Sequence, residues 1–419
     1  MTKDQFKIVT ITAIGGALEF YDFTIYALFA PYISRHFFAN TNQVIALVNT
    51  FAIFALGYLS RPLGGIIFGH CGDKYGRKSA FSLAIFMMAT STLFMGLLPG
   101  YQSIGIIAPI LLMLFRLIQG FSVGGEIPGA SIFIIEHVPK ERRGLAIGLV
   151  FSCITLGNTM GALVGLGLTH WLSAEQMNAW GWRIPFIIGF ILGIVSYVIR
   201  QKTFETPVFL AMKTEGGLYP TPFFELVKSS RKKIFNAFLL TASTSSIISF
   251  LLYVPTYFST IININVSYAY LLNIIGFLCF AVMTAVFGYI SDYVNRKKLL
   301  MTGAFLLIIS CYPLFYGLTV FGGWFIWIFT LGFAVFGGMI NGNYVVLITE
   351  SFPANLRYSG VGLSYSLGVA VFGGLAPLIF TGLIHFFASA EAPAIYLSVA
   401  ALLTFMAAIT SSDLKEGRI

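Results

Sequence analysis

Two acids and one base stand in apolar runs of this chain that should carry no charge. Glu19 and Asp22 lie three residues apart in GGALEFYDFTIYALFAPYIS (15–34), so on a helix they share a face, with Tyr26 one turn further along it. Arg116 lies about eleven residues into a second apolar run, with Gln119 one turn on and Glu126 beyond it in GGEIPG. Ionisable side chains at mid-bilayer cost several kcal/mol and are functional candidates by default. A buried Arg needs an acidic partner, and Asp22 or Glu19 is expected to supply it. The chemistry this implies is proton binding. Burial favours a neutral carboxylate and a nearby guanidinium favours the ionised one, so proton affinity follows the opening of a cavity. The alternative is a permanent ion pair fastening two helices, but two acids exceed what one Arg requires. Gly124, Gly125 and Pro128 weaken the helix around Glu126, which reads as a hinge or inner-gate acid, or as an acid satisfied by a neighbour. Arg61, eight residues before Gly69, is expected to snorkel to the membrane face as a gate or lipid contact.

The later half of the chain offers uncharged groups instead. Its apolar runs carry Tyr253 and Tyr257 around Pro255, then Asn273, Asn341, Asn343, Tyr344, Ser364 and Tyr365, with ionisable residues only at Asp292 and Glu350 near the run ends. These residues, Tyr253, Tyr257, Asn341 and Tyr365 above all, are expected to shape selectivity, although a single Tyr more often serves packing or the interface belt.

A repeat sets the frame for both groups. GHCGDKYGRK (Gly69 to Lys78) returns in weaker form as GYISDYVNRK (Gly288 to Lys297), about 220 residues later. Each copy ends an apolar run with Gly, three spacers, Asp and a basic cluster, which marks a helix leaving the bilayer into a short turn. Gly65 and Gly69 give the first helix a smooth face for a close neighbour. Asp73 can meet a helix N-terminus or an arginine, and either contact breaks when the packing changes. Gly69, Asp73, Arg77 and Lys78, with Gly288, Asp292 and Arg296, are therefore gate candidates. A plain positively charged loop is the competing reading.

Hydrophobic residues make up 57% of the chain and charged residues 10%, which excludes a soluble globular protein, where about a quarter are charged. The net charge of +9 is read as a topology signal at helix ends rather than a nucleic-acid footprint. The four cysteines are scattered, so no disulfide or metal site is expected. The N-terminal apolar run holds Glu19 and Asp22 and no cleavage site, so it is expected to be kept as a helix.

Runs near 20 residues predict about twelve spans: 8–34, 43–69, 79–98, 105–136, 144–171, 183–200, 234–260, 268–291, 299–320, 325–349, 359–385 and 391–411. They divide into an N-terminal bundle (1–200), a polar linker (201–233) and a C-terminal bundle (234–419). All but Arg35, Arg61, Arg116 and Arg183 of the 25 Lys and Arg fall on one side, which places both termini in the cytoplasm. Gly157, Gly161 and Gly165 form a stripe for close helix packing, while His170 and His385 have no assignable partner. Two halves with matching turns are expected of an alternating-access transporter with a parallel repeat.

The strings at 15–34 and RPLGGIIFGHCGDKYGRK (61–78), then RLIQGFSVGGE (116–126), GWRIPF (181–186), ETPVF (205–209) and RYSGVGLSYSLG to GGLAP (357–377), resemble the metabolite:proton symporter branch of the major facilitator superfamily. That branch includes proline/betaine, 2-oxoglutarate, citrate and shikimate permeases. The resemblance covers nearly the whole chain. It implies an all-α membrane fold of twelve helices in two six-helix halves, and proton-driven uptake of a small polar metabolite across a bacterial inner membrane. It places Glu19, Asp22 and Arg116 in the substrate and proton region, Asp73, Arg77 and Lys78 in the inner gate, and Arg183 on the outer side. Two departures stand out. Glu126-Ile127-Pro128 replaces Gly-Glu-Tyr, and Asn295 stands where a Gly is usual, which implies a weaker second-half gate. The tail after 411 shows no heptads, so an osmosensing coiled coil is not expected.

The expected function is proton symport of a small zwitterion such as an amino acid or betaine, with an organic-acid importer and a metabolite or drug exporter as alternatives. Asp22 with Glu19 takes the proton, Arg116 meets the substrate carboxylate or the emptied acid, and the Tyr and Asn residues of the second half grip the rest. No cofactor beyond the coupling proton, no metal and no nucleic acid is expected, and the chain is expected to work as a monomer in the bilayer. No nucleophile–base pair points to an enzyme.

Overall fold

The computed structural model describes residues 2–38, 42–201, 205–215, 217 and 219–411. Its described residues contain no strand, and twelve helices are long and apolar enough to cross a membrane. They are α1 (Gln5–Leu28), α2 (Val48–Tyr75), α3 (Arg77–Leu97), α4 (Ile107–His137), α5 (Lys140–Trp171) and α6 (Gly181–Ile199). The rest are α7 (Arg231–Ser259), α8 (Tyr268–Ile290), α9 (Arg296–Phe321), α10 (Phe325–Ser351), α11 (Ala354–Phe387) and α12 (Pro393–Thr410). At 1.5 Å per residue the shortest, with 18 residues, still rises about 27 Å, close to the hydrocarbon thickness.

The second helix outruns its expected end at 69. GHCGDKY stays helical through Tyr75, and the chain breaks only at Gly76, whose φ of +123° is a glycine conformation. The motif is therefore the last turns of α2 and the first of α3, which brings Asp73 and Arg77 together. The segment expected as a linker carries short helices at Pro207–Thr214 and Pro222–Ser229. All four cysteines are free.

Among the first six helices α1 packs on α5, α2 on α4, and α3 on α4 and α6; among the last six α8 packs on α10, and α9 on α10 and α12. The two sets meet along two seams, α2 against α11 and α5 against α8. Both seams require glycine. A Cβ on Gly65 would lie 2.2 Å from the Gly362 carbonyl oxygen, and one on Gly144 would lie 2.4 Å from that of Gly288. The stripe on α5 closes against α1 most tightly at Gly157, where a Cβ would come within 2.0 Å of the Ala17 carbonyl. Two later helices are irregular. α10 is interrupted between its segments Phe325–Asn341 and Tyr344–Ser351, and α11 carries a π-helical turn at Val369–Gly374, a feature often found at functional sites.

Candidate functional site

Asp22 is fully buried on α1, facing α3 and α6. Its Oδ2 accepts from the Thr92 hydroxyl at 3.0 Å, while Oδ1 has no hydrogen-bond partner among the described residues. A Cβ on Gly189 would fall 1.9 Å from Oδ1, so α6 makes room for the carboxylate by lacking a side chain there. Asp22 itself reaches Arg116 through a relay. Arg116 donates to Gln119 Oε1, Gln119 Nε2 donates to Thr92 Oγ1 at 2.9 Å, and Thr92 reaches Asp22. Helix geometry explains the pattern: Arg116 and Gln119 share a face of α4, and Thr92 on α3 bridges the gap to α1. The buried guanidinium also lies 4.5 Å from the Tyr26 ring centre and 4.7 Å from that of Phe54, contacts worth about 2 kcal/mol when desolvated. Tyr26 donates to the Thr50 carbonyl at 3.3 Å. The side chain of Glu19 lies outside the described residues.

Arg61 does not snorkel. It is 3% exposed, its guanidinium sits 4.2 Å over the Tyr58 ring, and its electrostatic neighbours are Tyr58 and Tyr365. The close packing of α2 on α4 holds it inside: a Cβ on Gly124 would be 2.0 Å from the Arg61 carbonyl. Tyr365, from α11, stacks on Tyr344 of α10 within the second half, with centroids 6.4 Å apart, and it faces Arg61 of α2 across the seam. Glu126 is 1% exposed, and neither carboxylate oxygen has a hydrogen-bond partner among the described residues. Asn341 donates to Thr284 at 3.0 Å on α8, and its Oδ1 is left without a partner among the described residues.

Tyr253 and Tyr257 are placed elsewhere. Tyr257 packs among Phe250, Phe258 and Phe315 and donates to the Ala390 carbonyl at 2.7 Å; the Tyr253 hydroxyl meets Thr381 at 3.1 Å. Both rings pack in the aromatic cluster of the second half, where the Tyr257 hydroxyl ties to the loop after α11 and the Tyr253 hydroxyl to Thr381 within α11. Arg183 likewise donates to the Gly96 and Leu98 carbonyls at 2.8 and 2.9 Å, capping the end of α3.

The repeated motif builds a paired latch between the halves. Asp73 accepts from the backbone N–H groups of Tyr358 and Ser359 at 3.2 and 2.8 Å, capping the helix of α11 that starts at Arg357. Arg77 reaches Asp73 at 3.1 Å and Glu136 at 3.5 Å and donates to the Ala354 carbonyl at 2.7 Å, while Arg357 meets Glu136 at 3.2 Å. Asp292 does the same to α5, accepting from Gly144 and Leu145 at 2.7 and 3.0 Å. Arg296 reaches Asp292 at 3.0 Å, Glu350 at 3.2 Å and the Lys140 carbonyl at 3.0 Å, and Arg143 meets Glu350 at 2.8 Å. The second copy is as complete as the first. Asn295 substitutes for glycine by capping α9 through Lys298 N–H at 3.0 Å, so its backbone needs no positive φ. Lys78 is not part of the latch: its Nζ donates to the Gln201 carbonyl at 2.9 Å, and its N–H to Glu205. Thr92, Gly189, Tyr58, Glu136, Arg143 and the ion pairs of Glu350 and Arg357 escape the sequence reading. A second repeat, Glu-x-x-Pro-x-x-x-Arg at 136–143 and 350–357, carries the signal for four of them.

Comparison with known proteins agrees with this architecture. The sequence profile of the Major Facilitator Superfamily matches residues 12–377. A protein of Staphylococcus aureus (strain COL) named as a proline/betaine transporter is 34% identical over 96% of this chain and 87% of its own length. A citrate-proton symporter of Salmonella typhi is 33% identical over 94% of this chain and 91% of its own. Among solved structures, the proton:xylose symporter XylE superposes with a TM-score of 0.79 at 17% identity, over 97% of this chain and 94% of that one, a likeness of fold. The chain belongs to the major facilitator superfamily, and it is a membrane transporter rather than an enzyme.

Proposed function

We propose that this transporter imports a small zwitterion, an amino acid or a betaine, together with a proton across the bacterial inner membrane, with both termini in the cytoplasm and the monomer as the working unit. The observation that carries this reading is the buried relay from Asp22 through Thr92 and Gln119 to Arg116. It joins a protonatable group to a fixed cation inside one six-helix set, so protonation at one end alters the hydrogen bonding of the other. Asp22, with Glu19 on the same helix face, takes the proton. Arg116 responds to it, and buried groups of both signs suit a substrate that carries both charges. The paired latch closes the terminal face, and substrate leaves when it parts. The relatives named for proline/betaine support this substrate class.

One observation favours a second reading. Arg61 lies in the interior near Tyr365, which supplies a second buried base for an organic acid, in line with the citrate-proton relatives. Proteoliposomes containing a pH dye distinguish the two when pooled amino acids and betaines are compared with pooled di- and tricarboxylates. Acidification with the first pool alone supports the zwitterion, with the second alone the organic acid, and with neither pool removes symport of both classes. Asp22→Asn is expected to lose uphill uptake and keep counterflow exchange; full coupled uptake by that variant refutes its role.

A further inference from the structure

At the terminal face, between the start of α3 and the end of α6, lies a cavity of about 260 Å³ lined by Lys78, Ser79, Ser82, Leu83, Phe86, Tyr197 and Gln201. None of its lining residues belongs to the relay or to the latch. Its walls are of two kinds. Lys78, Ser79 and Ser82 supply a cation and two hydroxyls at the level where both helices end. Leu83 and Phe86 are exposed on the outer surface of α3, the ring of Phe86 packs on Tyr197 at 5.4 Å, and Val195 and Val198 continue the exposed apolar surface along α6.

Two features leave the polar wall available to a ligand. Lys78 Nζ uses one of its three N–H donors on the Gln201 carbonyl. Ser82 is only 4% exposed, lines the cavity, and makes no hydrogen bond among the described residues. Glu205 already takes the Lys78 backbone N–H, so an incoming anion meets the side chains rather than the helix start. A phosphate oxyanion matches this ammonium and hydroxyl set. The adjoining apolar strip distinguishes a phosphate attached to acyl chains from a free one.

We propose that this cavity binds the headgroup of an anionic glycerophospholipid, with its phosphate on Lys78 and Ser82 and its acyl chains along Leu83 and Phe86. The site neighbours Arg77, so its occupant sits one residue from the latch. The test uses the full-length, delipidated protein and native mass spectrometry with dioleoylphosphatidylglycerol, dioleoylphosphatidylcholine and inorganic phosphate as probes. The wild type is expected to prefer the glycerol lipid. Lys78→Gln should lower that preference about fivefold, the weight of one basic residue at an anionic surface. Ser82→Leu, which fills the cavity and keeps the charge, should lower it as well, and it maintains the test if Lys78→Gln fails to fold. Lys228→Gln, on an exposed lysine elsewhere, should leave it unchanged. Equal binding of the two lipids by the wild type, or a preference that survives both cavity variants, overturns the proposal. Retention of inorganic phosphate without lipid preference also overturns it, in favour of a free-phosphate site.

Discussion

Asp73→Ala tests the latch most directly. The carboxylate accepts two backbone N–H groups across the seam at 3.2 and 2.8 Å, and all of its contacts are buried. Hydrogen bonds to a charged group are worth about 1.5–3 kcal/mol each, so the two together hold the closed seam by roughly 3–6 kcal/mol relative to a state in which the halves part. Arg77 keeps Glu136 and the Gly72 and Ala354 carbonyls, so the variant strands no bare cation. Even the lower figure, about 3 kcal/mol, moves the open-to-closed ratio roughly 150-fold. Spin labels at Tyr75 and Tyr293, which are 66% and 62% exposed and lie one on each half, report the separation by double electron–electron resonance in an otherwise cysteine-free protein. The parent should show a single short distance. Asp73→Ala should add a longer one, and Asp73→Ala with Asp292→Ala should make it dominant. Identical distributions in all three would show that these contacts do not hold the seam.

Thr92→Val preserves shape but removes the donor to Asp22 and the acceptor for Gln119; a loss of about 1–3 kcal/mol is expected, with fewer protons entering per substrate, and unchanged proton entry would break the relay argument. Gly65→Ala drives a Cβ against the Gly362 backbone at 2.2 Å, so it should cost about 1–3 kcal/mol and populate the longer spin-label distance; the parent distribution would show that the seam has slack. At the opposite end, partial burial of Glu391 disfavours its charge, but hydrogen bonds from Ser389 and Thr319, at 2.5 and 2.6 Å, outweigh it and hold the carboxyl below the usual glutamate range. A depressed folded value stabilises above the ordinary glutamate pKa and is lost as pH falls through the lowered one. Glu391→Gln should therefore flatten the fall in Tm as pH drops below about 5, through and beneath the ordinary glutamate pKa, and an unaltered slope there would contradict the assignment.

Much of this was legible because a membrane imposes strict rules on a chain. Apolar runs of span length, basic residues at their ends and a repeated Gly-Asp-basic turn fix the number of helices and point to a two-half architecture. The scarcity of buried charge singled out Asp22, Arg116 and Glu126, since each costs too much to be incidental. Periodicity along one helix also joined Arg116 to Gln119. The resemblance to the superfamily was carried by strings that hold these same residues.

Side-chain partners on other helices were not legible, because spacing along one helix says nothing about which neighbour it meets. Only the packing of α3 between α1 and α4 made Thr92 the bridge to Asp22, and only the close packing of α2 on α4 at Gly124 kept Arg61 inside rather than toward the membrane face. Tyr257 has the sequence character of a ligand, yet its hydroxyl is taken by a backbone carbonyl on another loop. Asp73 shows the division most clearly. The sequence determined that an acid and an arginine stand one helical turn apart at the end of a span. The tertiary structure decided that the acid caps a helix of the opposite half, because two backbone N–H groups there had no partner within their own helix.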